Sequence, residues 1–316
     1  MVPGKSFRLN KKLLVFLCIA LLGLLFLLCF GACKIYSTLD RVIYHTSRGD
    51  IPSTTPKRYD LDYRSIELES SGGLLLRGWY IPGETEDCVV LAPGKGSNRW
   101  DVLPYAPFLH EAGYDVLLFD PQSTGLSQGE QYAFGYYESR NLLRAVDYLQ
   151  SRHNPEDIAL LGRSAGGTAS ILAALEDPRI TAVIADSPFA NLRKAAANYE
   201  APHKDFMFRA VFRLYTLGAR LMLGFDVGSE MDLTSTIPNL RQPLLLIHGT
   251  EDRIIHPSNS RLLYSLAPGP KELWLVPGTG HIRSFTSRPE LYKRKILAFL
   301  DRHLRTKPAV TEKGPE

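Results

Sequence analysis

Ile158-Ala159-Leu160-Leu161-Gly162-Arg163-Ser164-Ala165-Gly166, followed by the helix formers of 168–175, reads as a strand, a sharp turn and a helix. A serine hydroxyl is a weak nucleophile. A turn of this kind lifts it clear of the sheet, where a base can reach it from one side and backbone donors can face a developing oxyanion from the other. Gly-x-Ser-x-Gly fixes only three positions, so the reading needs partners elsewhere in the chain.

Outward from Ser164, short apolar runs alternate with helical patterns. Ser71-Gly72-Gly73 separates two strand candidates, and 89–91, 116–119, 182–184, 244–247 and 273–276 supply five more. Their hydrophobicity is continuous rather than alternating, as in strands covered on both faces. Helices are expected over 100–112, 137–151, 164–175, 259–266 and 290–304. This βα alternation predicts an α/β fold, a mostly parallel sheet flanked by helices, with chemistry at the carboxyl ends of the strands.

The segment 187–238 offers no strand candidate. It carries Phe206, Phe208, Val211, Phe212, Tyr215, Leu221, Met222 and Phe225, with Arg209, Arg213 and Arg220 interspersed. Three readings stand open: a helix packed on the core by its apolar stripe, a cap whose apolar face lines an acyl pocket, or a helix touching a membrane surface. The expected division treats it as a helical cap.

A serine nucleophile needs a base, and the base needs a carboxylate to orient it. Asp252 follows the strand candidate 244–247 in His248-Gly249-Thr250-Glu251-Asp252, and His281 follows 273–276 in Pro277-Gly278-Thr279-Gly280-His281. Both stand just past strand ends, on the rim where Ser164 also stands. Glu251 is the alternative carboxylate. His248, at a strand end, is placed to pack beside the site. His256 and Glu251 hint at a metal, but no third ligand has suitable spacing, so neither metal nor cofactor is expected.

The order Ser164, Asp252, His281, with three glycine-rich motifs in register, resembles the α/β-hydrolase superfamily from about residue 65 to 304. It is most similar to the membrane-anchored, serine-aminopeptidase-like branch. Asp120-Pro121-Gln122-Ser123-Thr124-Gly125-Leu126-Ser127 is similar to a loop of that superfamily, with Gln122 where an arginine is common. The resemblance implies an oxyanion hole built from the backbone N–H of Ala165 and one from the loop Ala92-Pro93-Gly94-Lys95-Gly96-Ser97-Asn98. By position Lys95 supplies that amide, and Pro93 replaces the usual histidine.

Composition adds a compartment. The 316 residues carry 37 Lys and Arg against 33 Asp and Glu, a net charge of +4, with no clustering of the kind that binds nucleic acid. Residues 13–33 are uncharged and apolar over the length a helix needs to cross a bilayer. Lys5, Arg8, Lys11 and Lys12 precede them, which places the N-terminus in the cytoplasm and the remainder outside. A cleaved signal peptide, or a lipoprotein signal ending at Cys33, are the rival readings. Only Cys88 lies in the body of the chain, so no internal disulfide is expected there.

The expected division is therefore a basic N-terminus (1–12), a transmembrane anchor (13–33), a tether (34–60), a hydrolase domain (61–304, with the cap at 187–238) and a disordered tail (305–316). The expected activity is hydrolysis of a small-molecule acyl substrate, an ester or else a lipid or peptide, through Ser164, His281 and Asp252. A peptidase or acyl transferase on the same triad, and a non-catalytic membrane-bound scaffold, are the alternatives.

Overall fold

A computed structural model describes residues 11–44, 47–192 and 206–304, without the side chains of 13–14 and 206–212. Eight strands form one sheet: β1 (Arg64–Glu69), β2 (Leu75–Ile81), β3 (Cys88–Ala92), β4 (Asp115–Phe119), β5 (Ile158–Arg163), β6 (Ile180–Asp186), β7 (Leu244–Gly249) and β8 (Lys271–Val276). Their spatial order is β1-β2-β4-β3-β5-β6-β7-β8. Pairing is antiparallel from β1 to β2 and from β2 to β4, and parallel from β4 through β8.

The helices are α1 (Lys11–Ile43), α2 (Tyr136–Arg152), α3 (Ala165–Glu176), α4 (Phe206–Leu223), α5 (Ser258–Leu266) and α6 (Pro289–His303), with several shorter turns between them. The continuous apolar runs have the expected cause. Alternate residues of one strand face two separate cores. Val90, Leu117, Leu160 and Val183 join a cluster with Leu142, Val146 and Ala169 of α2 and α3. Val89, Leu118, Leu161 and Ile184 join another with Leu109, Ile296 and Phe299. Each such buried aliphatic side chain contributes about 1.5–3 kcal/mol.

Two expectations needed revision. The single helix over 100–112 is instead three pieces, Arg99–Val102, Leu103–Tyr105 and Ala106–Glu111. Pro104 and Pro107 lie inside that span, and proline has no N–H to continue a helical ladder. The tether was expected to begin at residue 34, yet α1 continues without a break to Ile43. Ile35, Leu39 and Ile43 recur every fourth residue on one face. Leu39 and Ile43 are buried, and Ile35 packs against the same core. That face meets α4, where a methyl built on Gly218 would press on the Leu39 and Ile35 side chains. The Tyr44 hydroxyl also donates to the Met222 carbonyl, 3.2 Å away.

The amino-terminal part of α1 is different. Its most apolar 18-residue window, within Val15–Ile43, has a mean hydropathy of 2.9 and buries none of its residues. By length and composition this helix can cross a membrane or act as a signal sequence. The segment 187–238 holds no strand among its described residues. It holds α4 and the one-turn helices Val227–Glu230 and Leu233–Thr236. Residues 1–10, 193–205 and 305–316, including most of the basic N-terminus and the tail, lie outside the described residues.

Candidate active site

Ser164 sits between the end of β5 and the start of α3 with φ 52° and ψ −121°, a backbone conformation that costs a non-glycine residue energy. The local sequence accommodates it. A Cβ on Gly162 would collide with the backbone of Gly166, and one on Gly166 would collide with the carbonyl oxygens of Ala92 and Pro93. Only glycines at both positions let β5, α3 and the loop after β3 come this close. The Ser164 N–H donates to the Asp186 carbonyl at 2.7 Å, which ties the turn to the end of β6.

Three strand ends converge on the hydroxyl. His281, in the loop after β8, places Nε2 2.9 Å from Ser164 Oγ. Its Nδ1 lies 2.6 Å from Asp252 Oδ2, in the loop after β7. The other oxygen, Asp252 Oδ1, accepts the N–H groups of Ile254 and Ile255, each at 2.9 Å. Burial by itself would raise the Asp252 carboxyl. Hydrogen bonds from His248 and His281, the charge of His281 and the Ile255 amide outweigh burial and hold it well below the usual carboxylate range. The group therefore stays ionised and orients His281 so that Nε2 is free to take a proton from the serine.

Glu251 is exposed and makes no hydrogen bond to either histidine, so Asp252 is the carboxylate that meets His281. His256 is exposed and bonds to Ser258 at 2.9 Å. His248 does more than pack nearby. It is fully buried, with Nε2 2.7 Å from the Ile255 carbonyl and 3.2 Å from Asp252 Oδ2, and Nδ1 2.6 Å from Ser260 Oγ. The Ile255 carbonyl and the carboxylate can only accept, so Nε2 carries the hydrogen. The four-residue spacing of His248 and Asp252 across a strand end was the sequence signal for this contact. Among the described residues, no group of three His, Cys, Asp or Glu is placed to hold a metal ion.

Ala165 is the first residue of α3, where the amide has no intrahelical acceptor. Gly94 abuts the nucleophile: a methyl built there would lie 3.3 Å from Ser164 Cβ. Lys95 follows, with its Nζ 5.6 Å from the ring centre of Tyr132 and 5.5 Å from that of Phe134. Burial against these rings lowers the ammonium from its ordinary value. The aromatic loop leads into Gly135, whose N–H donates to Glu138 Oε2 at 2.7 Å. Glu138 is buried and its second oxygen has no partner. Burial pushes its carboxyl up to about 7, against the opposing amides of Glu138 and Gly135.

Comparison with known proteins shows the family and the fold. Residues 83–217 match the family model of serine aminopeptidase, S33. The protein YfhR of Escherichia coli strain K12 is 31% identical over 246 residues, spanning 75% of this chain and 80% of that protein. YqkD of Bacillus subtilis strain 168 is 27% identical over 250 residues, spanning 76% and 80%. Among solved structures, the esterase Pf2001 of Pyrococcus furiosus superposes with a TM-score of 0.68 at 25% identity, covering 81% of this chain and 99% of that one.

Proposed function

We propose, for a chain that belongs to the serine-aminopeptidase-like branch of the α/β-hydrolases, that it is a serine hydrolase of carboxylic esters held at a membrane by α1. The observation that carries this reading is the continuous chain of hydrogen bonds from Ser164 Oγ through His281 to Asp252. Ser164 attacks the acyl carbonyl while His281 Nε2 takes its proton. Asp252 holds the imidazole with Nδ1–H toward it and stabilises the imidazolium that forms. The amides of Ala165 and Lys95 receive the charge on the tetrahedral oxygen. His281 then protonates the leaving oxygen, an acyl-enzyme remains, and water activated by the same imidazole releases the acid.

The likeness to an esterase favours ester substrates. The family model's description as an aminopeptidase favours amide cleavage on the same triad, and a substrate series separates the two. The full chain, purified in detergent, is assayed with p-nitrophenyl esters of graded length beside aminoacyl amides, and labelled with a fluorophosphonate. Ester turnover and labelling, both lost in Ser164→Ala, support the reading. A protein that neither labels nor turns over any ester is a non-catalytic scaffold.

The membrane part of the reading rests on the unburied apolar window of α1 and on the basic residues Lys11 and Lys12 at its start. It sets one pass, the N-terminus in the cytoplasm and the hydrolase domain, with its cap at 187–238, on the outer side. Protease protection in spheroplasts tests the side, and the intact mass of the mature protein separates an uncleaved anchor from a cleaved signal.

A further inference from the structure

We propose that the cavity beside His281 is an anion subsite, and that the alcohol released from the ester carries a carboxylate or phosphate. The inference rests on the triad reading above and names the substrate class of that site. The cavity is open, has a volume of about 690 Å³, and is lined by His281, Gly280, Ile282 and three arginines, Arg163, Arg253 and Arg283. That volume suits a small organic ligand. Glu251 is the single carboxylate on its wall, so the arginines leave an excess of positive charge.

Position fixes which part of a substrate lies there. Gly94 abuts Ser164 from the side of the loop after β3, the side on which the proposed oxyanion hole receives the acyl oxygen. The proton taken by His281 must pass to the leaving oxygen, so the leaving group lies against the imidazole, on the side of this cavity.

The arginines divide into a fixed one and two free ones. Arg163 is held in place: Nη1 donates to the Asp101 carbonyl at 2.9 Å, Nη2 to the Ile282 carbonyl at 3.4 Å, and the guanidinium stands 5.3 Å from the Tyr105 ring centre. Its charge also acts on buried Asp186. Arg253 and Arg283 are exposed at the rim. Neither pairs with a carboxylate in any ion pair of the described residues. Unpaired guanidinium forks matched in geometry to an oxyanion, next to a catalytic base, are suited to grip a carboxylate or phosphate. Guanidinium charge here also steers anionic substrates toward the mouth of the site.

The test compares 4-acetoxybenzoate, 4-acetoxyphenyl phosphate and the neutral methyl 4-acetoxybenzoate as substrates of the full chain. The expected result is a higher kcat/KM for one or both anions than for the neutral ester. That preference should fall about tenfold in each of Arg253→Glu and Arg283→Glu, should be kept in Arg253→Lys and should weaken with added salt. Which anion is preferred identifies the group. Equal kcat/KM for all three esters, or a preference untouched by both charge reversals, overturns the subsite while leaving the triad standing. Calorimetric binding of 4-hydroxybenzoate and 4-hydroxyphenyl phosphate to Ser164→Ala reads the subsite without turnover. Binding lost in the double reversal supports it even if no ester is hydrolysed, and absence of binding overturns it.

Discussion

His248 Nε2 stands 3.2 Å from Asp252 Oδ2, the same oxygen that holds His281 at 2.6 Å. With the Ile254 and Ile255 amides on the other oxygen, the carboxylate is surrounded by donors and nothing else. An amide in its place would turn its NH2 toward His281, make Nδ1 the acceptor and leave the hydrogen on Nε2, where the imidazole can no longer take a proton from Ser164.

Asp252→Asn is therefore expected to lower kcat by about four orders of magnitude, the loss that follows when the orienting carboxylate of a serine triad becomes an amide. Fluorophosphonate labelling should slow in parallel while the far-ultraviolet circular dichroism stays unchanged. A variant of near-normal kcat would sink the assigned role of Asp252.

His248→Phe removes one donor and leaves the carboxylate to His281 and two amides. Loss of a buried hydrogen bond to a charged group costs about 1.5–3 kcal/mol, so kcat should fall about 10- to 100-fold with KM little changed. An unchanged kcat would make His248 a packing residue only.

Gly166→Ala puts a methyl against the carbonyl oxygens of Ala92 and Pro93, backbone atoms that have no room to retreat. Loss of soluble, labelled protein is expected, whereas Gly278→Ala, in a loop where the same methyl meets nothing within 4 Å, should cost only the strain of a positive φ. Thermal melts of the two variants make the comparison. Similar melts for both would contradict the close approach at Gly166.

Glu138 makes stability depend on pH. Its folded carboxyl titrates near 7, above the 4.5 of a free glutamate. Well below 4.5 both the folded and unfolded forms are protonated, and the carboxyl adds no pH-dependent cost. As pH rises toward 7 the unfolded carboxyl ionises while the buried one does not, and stability is lost by about 3 kcal/mol in full. Glu138→Gln should therefore melt higher than the parent above pH 7, and the gap should close below pH 5. A gap independent of pH would show that Glu138 is not buried as a carboxylic acid.

Leu39→Ala should loosen the contact of α1 with α4. Truncating a buried leucine costs about 2–5 kcal/mol, and here the loss is local to one helix pair. Protease should cut within residues 34–50 at least tenfold faster than in the parent, with hydrolysis of a soluble ester largely retained. Unchanged cleavage would mean that the contact carries little of the local stability.

The sheet was legible because strands covered on both faces spell out continuous apolar runs, and because Gly162-Arg163-Ser164-Ala165-Gly166 marks one strand end without ambiguity. Asp252 and His281 were legible for the same reason, each following such a run. Other features were hidden by what a one-dimensional pattern omits. Pro104 and Pro107 broke a helix that hydrophobic spacing alone would continue. The extension of α1 past Cys33 depends on Ile35 and Leu39 finding Gly218 in a distant helix. The partnerless oxygen of Glu138 and the gathering of Arg163, Arg253 and Arg283 follow from folding, not from any local motif.

The unbroken course of α1 makes it a ruler. Its 33 residues span about 50 Å at helical rise, against a hydrocarbon layer of about 30 Å. The remaining length packs on the domain through the buried Leu39 and Ile43. With α1 set in a bilayer, Ser164 would work at one height and one tilt. Reach along the surface would come from lateral drift of the whole molecule, and the depth at which a scissile bond lies would become a selection rule in its own right.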